Sequence, residues 1–446
     1  MPHYLRHPLG GKHLATVHNR LAAVAGAVGL GLTAIIFARL GDWAQNLFLH
    51  CVAVSPYAPF LVTPLAFAAV VYVTRRWYPA ARGSGIPQVM AVSHNPQAHA
   101  DSELVSLKTA WAKLAGTIAM LLAGGSVGRE GPTVQISAAV MVAVHRWLKV
   151  PVTAGVIIAG GAAGVAAAFN TPLAGVAFAI EELAAAFEQK VAVLVMAAVM
   201  ISGLVSLGIA GDYVYFGAMS GTLPLPTMLA VSPIAGLLGG LLGGLFSRCL
   251  IAMTAPRHPW LVRIRSRPVM FALLCGMVVA FTGWATQGLS WGTGYETTRT
   301  LLAGHETSMG FGPTKFIATL ATALSGAPGG IFAPSLSVGA GLGQLISGLF
   351  PNASAGAIVL LGMVGYFTGV VRAPMTAVII MMEMTANRSM ILPLFATALI
   401  ADAVSAMICR QKLYHALSAP FHATAMPEAN GMTPDRHGPA GDEPAQ

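Results

Sequence analysis

Two stretches of this chain match at a constant separation of 202 positions, and few folds accommodate such a repeat within one chain. Lys113 pairs with Lys315, Thr117 with Thr319, Gly124 with Gly326, Gly128 with Gly330 and Pro132 with Pro334. The register continues without a gap through Gly160 and Gly362, Pro172 and Pro374, Val176 and Val378, and Glu181 and Glu383. Chance similarity between two Gly- and Ala-rich sequences would not hold prolines, a lysine and a glutamate in one register. The basic loop Arg146–Lys149 falls on 348–351, which has no positive residue, so the halves are expected in opposite orientations. That is an inverted-topology repeat, whose interface is the default place for a transported substrate.

The solvent for such a fold is lipid. Hydrophobic residues make up 55% of the 446 and charged residues only 9%, against roughly 25% charged in a soluble domain. The 50 glycines suit close helix packing in a bilayer. After a basic, histidine-containing start, the first apolar run begins near Leu21 and reads as a retained anchor, not a cleaved signal. The net charge of +9 gathers at Arg75, Arg76 and Arg82, at Arg146 and Lys149, at Arg257, Arg263, Arg265 and Arg267, and at Arg410 and Lys412. The loops expected around 40–55, 211–226 and 351–356 have no Lys or Arg. This asymmetry places the basic loops and both termini in the cytoplasm of a multi-pass inner (plasma) membrane protein, and implies no nucleic-acid partner. Cys51, Cys249, Cys275 and Cys409 lack metal or redox spacing and read as core fillers, and no cofactor is implied.

Apolar stretches recur from 21–38 to 390–409, and several fall short of the roughly 20 residues that cross a bilayer. Gly and Pro cut them at Gly128–Pro132, Pro172, Gly329–Pro334 and Pro374. Broken helices survive in a membrane only where their free backbone groups meet protein, water or a ligand, which points to a transporter or channel. The expected fold is all-α and polytopic, with broken and re-entrant helices in two inverted halves, about 21–210 and 227–417. A short segment, 1–20, precedes it and a disordered tail, 418–446, follows.

Positions shared by both halves read as scaffold, and Glu181 and Glu383 fall there. Three asymmetries call for another explanation: Glu130 faces Phe332, Arg129 faces Ile331 and Glu182 faces Met384. Four segments stand out: Gly83–Pro87, Gly128–Pro132, Gly329–Pro334 and Lys412–Tyr414. In the second and third, Gly leads into Pro at a helix start. A helix N-terminus presents free N–H groups and about half a positive charge, so several converging ends hold an anion without a buried cation that would grip it too tightly. An acid such as Glu130 inside a membrane is functional by default, although it could also cap its helix. Taken alone, Ser84 reads as a turn hydroxyl and Tyr414 as an interfacial aromatic. Lys113 and Lys315 are expected to cap or snorkel, and Asp402 has no assigned role.

Taken together and in this order, the four segments resemble the signature of the CLC chloride channel and chloride/proton antiporter family. The resemblance extends from about 20 to 417 and includes Phe169–Glu182 and Glu383–Thr385. It implies a CLC-like fold that carries chloride and protons, and a homodimer in the bilayer. Ser84 and Tyr414 hydroxyls, with the N–H groups of Ile331 and Phe332, would bind the central chloride. Backbone around Arg129 to Gly131 would form an outer anion site. Glu130 would be the gate and external proton acceptor, and Glu182 the internal proton relay of the exchanger branch. Ser at 84 is the residue of chloride-preferring members. No regulatory nucleotide-binding domains follow Tyr414, as in the compact prokaryotic type.

A passive chloride channel is the alternative within the family. An intramembrane serine protease, suggested by Gly124–Gly128 with Ser126, lacks a mid-span histidine to activate the serine. His305-Glu306 lacks the second histidine of a zinc hydrolase, and an organic-solute symporter would need a cation site that these helix starts do not suggest. No enzyme activity is expected.

Overall fold

The computed structural model describes residues 9–99, 102–183, 189–211, 213–254 and 258–423. The first half runs through α1 Leu9–Val54, α2 Pro59–Trp77, α3 Ile86–His94, α4 Leu107–Leu122, α5 Glu130–Trp147, α6 Ala154–Phe169, α7 Pro172–Phe178 and α8 Gln189–Ala210. The second runs through α9 Leu225–Thr254, α10 Pro259–Ser266, α11 Pro268–Ala285, α12 Tyr295–Leu302 and α13 Phe311–Ser325. It ends with α14 Phe332–Ser347, α15 Ala355–Val371, α16 Pro374–Thr385, α17 Ile391–Ile408 and α18 Leu413–Ala423. Among the described residues, the isolated β-bridge between Gly128 and Gly330 is the only β pairing.

The repeat is written into the backbone. Helices α5 and α7 begin at Glu130 and Pro172, and α14 and α16 begin at Phe332 and Pro374, each pair 202 positions apart. Unusual angles coincide too. Asn170 and Arg372 both end a helix in the left-handed region, at φ 56° and 61°. The bridge itself joins the two halves: Gly128 N–H donates to Gly330 O at 2.7 Å, and Gly330 N–H donates to Gly128 O at 2.8 Å.

Among the described residues, five helices, including α8, α9, α11 and α17, are long and apolar enough to cross a membrane. Their exposed leucines, valines and methionines face outward, as lipid requires. By contrast α6 and α15 are apolar all round and almost wholly enclosed by other helices, which is where helices without a polar face belong. Helices α5 and α14, at 18 and 16 residues, start inside the protein instead of at its surface.

Several expectations need correction. Residues 40–55 are not a loop: α1 continues to Val54, and its 46 residues reach about 69 Å, far more than one upright crossing needs. Gly41, Asp42 and Gln45 do not break it, because none imposes a non-helical φ there. The expected tail boundary at 418 lies inside α18, which is described through Ala423, and the rest of the tail falls outside the described residues. Likewise, part of the expected 1–20 segment belongs to α1. Cys275 and Cys409 fill the core, but Cys249 is half-buried and Cys51 is exposed. Neither Lys113 nor Lys315 snorkels, since both are fully buried.

Candidate functional site

The bridge between Gly128 and Gly330 brings two helix starts together, and the candidate site forms around it. The Glu130 carboxylate lies over Gly128, so close that a Cβ there would sit 2.2 Å from Oε2. Its Oε2 accepts a 3.4 Å hydrogen bond from Ala333 N–H in the first turn of α14. Glu130 is 1% exposed and begins α5, so one carboxylate meets the N-terminal ends of two helices at once. That is where a free anion would be held.

Ser84 arrives from a separate loop whose shape depends on glycine. Gly85 has φ 107°, and a Cβ on it would meet Gly131 O and the Gln135 Cβ at 2.9 Å, so only glycine fits. Gly83 O accepts from Gly329 N–H at 3.1 Å and from Lys113 Nζ at 2.8 Å, and Lys113 also reaches Arg82 O. The lysine therefore pins the loop that presents Ser84. Its repeat partner Lys315 does the matching job elsewhere, donating to Ser290 O and Gly292 O. Gly131 lies against the Ser84 hydroxyl, where a Cβ would come within 2.3 Å of Oγ.

Tyr414, at the start of α18, and Phe332 complete the enclosure. Their rings stand 6.1 Å apart, and Phe332 also packs on Phe169, Phe178 and Phe367. Ser84 Oγ and Tyr414 Oη are buried beside one another, and neither has a further protein partner. Two such hydroxyls beside the free N–H groups of a helix start form a convergent set of donors. A cavity of about 200 Å³ runs from them to the face that bears the basic loops. Of the residues expected to bind anion, the structure brings together Ser84, Ile331, Phe332, Tyr414, Gly131 and the backbone of Arg129.

Glu182 stands apart from this group. It lies on a π-helical turn, Ala179–Leu183, whereas the matching stretch around Met384 continues as regular α-helix. Single π turns often mark functional positions. Both Glu182 oxygens are buried without a hydrogen-bond donor, and the nearest cation, Lys412 Nζ, is 3.9 Å away. Glu181 has a different fate: it accepts from Met375 and Thr376 N–H at the start of α16. Glu383 reciprocates at the start of α7 by accepting from Leu173 and Ala174 N–H. This is the structural role that the shared register implied. Asp402 now has a partner as well, pairing with Arg372 Nε at 3.0 Å.

The outer surroundings of Glu130 are not marked by any motif. Arg129 pairs with Asp42 of α1 at 2.7 Å and donates to Ala38 O. The buried Tyr215 phenol lies beside this guanidinium and within electrostatic reach of Glu130. Tyr215 also packs on Phe169, 5.7 Å between ring centroids, and its carbonyl accepts from the Tyr295 hydroxyl. Asp42 and Tyr215 belong to no motif and lie outside the repeated stretch, so no sequence signal singled them out. Ser126 is bonded to Thr319 of the other half, Oγ to Oγ1 at 2.9 Å, and no histidine contacts it among the described residues.

Comparison with known proteins agrees with this geometry. The family model described as voltage gated chloride channel matches residues 65–406. The H(+)/Cl(-) exchange transporter ClcA of Yersinia pestis is 32% identical over 435 residues, covering 90% of this chain and 86% of that protein. The protein of the same name from Salmonella agona is 31% identical, covering 95% and 92%. Two solved structures share the fold. A slow cyanobacterial Cl-/H+ antiporter gives a TM-score of 0.76 at 24% identity, over 90% of this chain and 97% of that one. A CLC-type fluoride/proton antiporter gives 0.73 at 22%, over 87% and 95%. With the repeat, the paired helix starts and a match over most of its length, this chain belongs to the voltage-gated chloride channel, or CLC, family.

Proposed function

We propose that this protein exchanges chloride for protons across a membrane, with Glu130 as the gate. The observation that carries the reading is the position of the Glu130 carboxylate between the starts of α5 and α14, bonded to Ala333 N–H and next to the buried hydroxyls of Ser84 and Tyr414. An ionised carboxylate is itself an anion, so it competes with chloride for the same donors. Protonation removes its charge, weakens its hold on the helix ends and lets chloride take its place. One residue thus links a proton to an anion while their paths remain distinct. Ser84, Tyr414 and the N–H groups of Ile331 and Phe332 hold the central chloride, and backbone from Arg129 to Gly131 holds the outer one.

Glu182 relays protons from the basic-loop side. Its two oxygens have no fixed donor, and a side chain already committed to a helix end, like Glu181, could not shuttle protons. Both termini and the basic loops lie in the cytoplasm, and a homodimer carries one path per subunit.

The test is purified protein in vesicles under a chloride gradient, with external pH and chloride recorded together. Uphill proton movement driven by chloride is expected, and acid should speed exchange by protonating Glu130. Both Glu130→Gln and Glu182→Gln should abolish proton movement while chloride flux persists, and Glu130→Gln should also flatten the pH dependence. Chloride flux without proton movement in the unmutated protein would make it a passive channel.

A further inference from the structure

Three arginines from separate elements converge on the mouth of the anion path. Arg75 lies near the end of α2, Arg82 just before α3, and Arg265 on α10. All three line the cavity of about 200 Å³ whose inner end is formed by Ser84, Ile331 and Tyr414, and no carboxylate contributes to that lining. None of the three has an ion-pair partner among the described residues. They stand close enough that Arg82 and Arg265 both act electrostatically on Arg75. Two are braced from behind. Arg265 donates to Thr254 O at the end of α9, and the Arg82 guanidinium lies 4.9 Å from the Phe421 ring centroid.

Convergent like charges with no counter-charge are unfavourable, and an anion relieves them in proportion to its valence. Chloride satisfies one guanidinium at a time. A phosphate oxyanion accepts two parallel hydrogen bonds from a single guanidinium, and one with several charges engages two or three arginines together. The cavity is smaller than the roughly 300–1,000 Å³ typical of drug-sized ligands, which limits the occupant to a small molecule. We propose that this mouth is a binding site for a small multivalent phosphate anion, of the diphosphate or triphosphate kind, which plugs the anion path from the basic-loop side. Binding stands on the arginines alone, whereas the plugging effect rests on the transport function proposed above.

Calorimetric titration of pyrophosphate into the purified protein in detergent reads the site without any transport. One saturable event per chain is expected, tighter with tripolyphosphate and much weaker with orthophosphate. Replacing Arg82 or Arg75 by Gln should weaken it roughly tenfold or more, because each removes a charge-assisted contact. Arg82→Lys, which keeps the charge but loses the fork, should fall between. In phosphatidylcholine vesicles, pyrophosphate on one side should slow only the chains whose arginine mouth faces it, and on both sides all of them. Absent binding, or binding unchanged in both Gln variants, would overturn the site and leave the arginines as attractors for chloride. Loss of the pyrophosphate effect in vesicles containing anionic phosphatidylglycerol would assign the arginines to a lipid headgroup and overturn a soluble ligand. Should chloride flux be absent altogether while calorimetry still shows the graded binding, the transport function fails and the site stands.

Discussion

The segments Gly128–Pro132 and Gly329–Pro334 occupy equivalent places in the two halves, yet one carries an acid where the other carries a phenylalanine. Their glycines pair with each other across the bridge, and both prolines fall in the first turn of a helix. What the halves share builds a pair of apposed helix starts. Where they differ, one half supplies a buried carboxylate, Glu130, and the other an aromatic wall, Phe332. The same division recurs further on, where Glu181 and Glu383 make reciprocal caps while Glu182 and Met384 differ in chemistry and in helix type. On the proposed mechanism, symmetry in this molecule marks scaffold, and asymmetry marks the groups that handle charge.

The sharpest way to break this comparison is to add one methyl group to each glycine of the bridge. At Gly128 the new Cβ meets the Glu130 carboxylate, 2.2 Å from Oε2, and a side chain can move away. Gly128→Ala should therefore expel the gate from its site, cutting protons moved per chloride at least tenfold, or about 1.4 kcal/mol of gate occupancy. At Gly330 the new Cβ meets backbone instead, with Gly131 N at 3.0 Å and Gly128 O at 3.1 Å. Gly330→Ala should lower the yield and thermal stability of the folded protein without a selective loss of coupling. Parallel measurement of coupling ratio and melting temperature separates the two outcomes. Equal loss of coupling in both variants at unchanged stability would erase the distinction between gate and scaffold.

Much of this was legible beforehand because register in a repeat is a strong constraint. Gly, Pro, Lys and Glu repeated at one offset, and the helices of the two halves begin at that same offset. Register pairs positions but does not measure depth. That is why the sequence leaves open whether Lys113 and Lys315 cap or snorkel, whereas in the structure both are buried and tie down loop carbonyls. Nor does register extend to parts of the chain that are not repeated. Asp42 meets Arg129 only because α1 continues through 40–55, and Tyr215 does so only because the loop after α8 folds over the site. That loop is laced to the far end of α16, with Phe216 N–H donating to Met384 O and Met219 N–H to Thr385 O. Contacts made by folding a loop across a surface leave no periodicity in the sequence.

The buried lysines offer a smaller and more graded contrast. Lys113→Met and Lys315→Met each remove two hydrogen bonds to carbonyls. Lys315→Met should cost about 1–3 kcal/mol of stability because Ser290 O and Gly292 O lose their donor. Lys113→Met should cost less, because Gly83 O keeps Gly329 N–H and Arg82 O keeps Gln88 Nε2. Only Lys113 holds the loop that presents Ser84. Its loss should also weaken chloride binding several-fold, read as a higher chloride concentration for half-maximal flux, while Lys315→Met leaves that concentration unchanged. A similar rise in both variants would mean that loop position is not what sets chloride affinity.

The smallest effects belong to the caps, where the halves are most alike. Glu181 accepts from Met375 and Thr376 N–H and also from the Thr376 hydroxyl, and Glu383 accepts from Leu173 and Ala174 N–H. An amide in place of either carboxylate keeps one acceptor oxygen and turns the other into a donor facing N–H groups. Each Gln variant should therefore lower stability by about 0.5–2 kcal/mol, the range for lost helix caps, with Glu181→Gln the larger because of its third bond. Neither should alter proton coupling, since both carboxylates are fixed to helix ends and Glu182 is not. Loss of proton transport in Glu181→Gln at normal stability would move the relay by one residue, and would break the rule that symmetric positions serve only the scaffold.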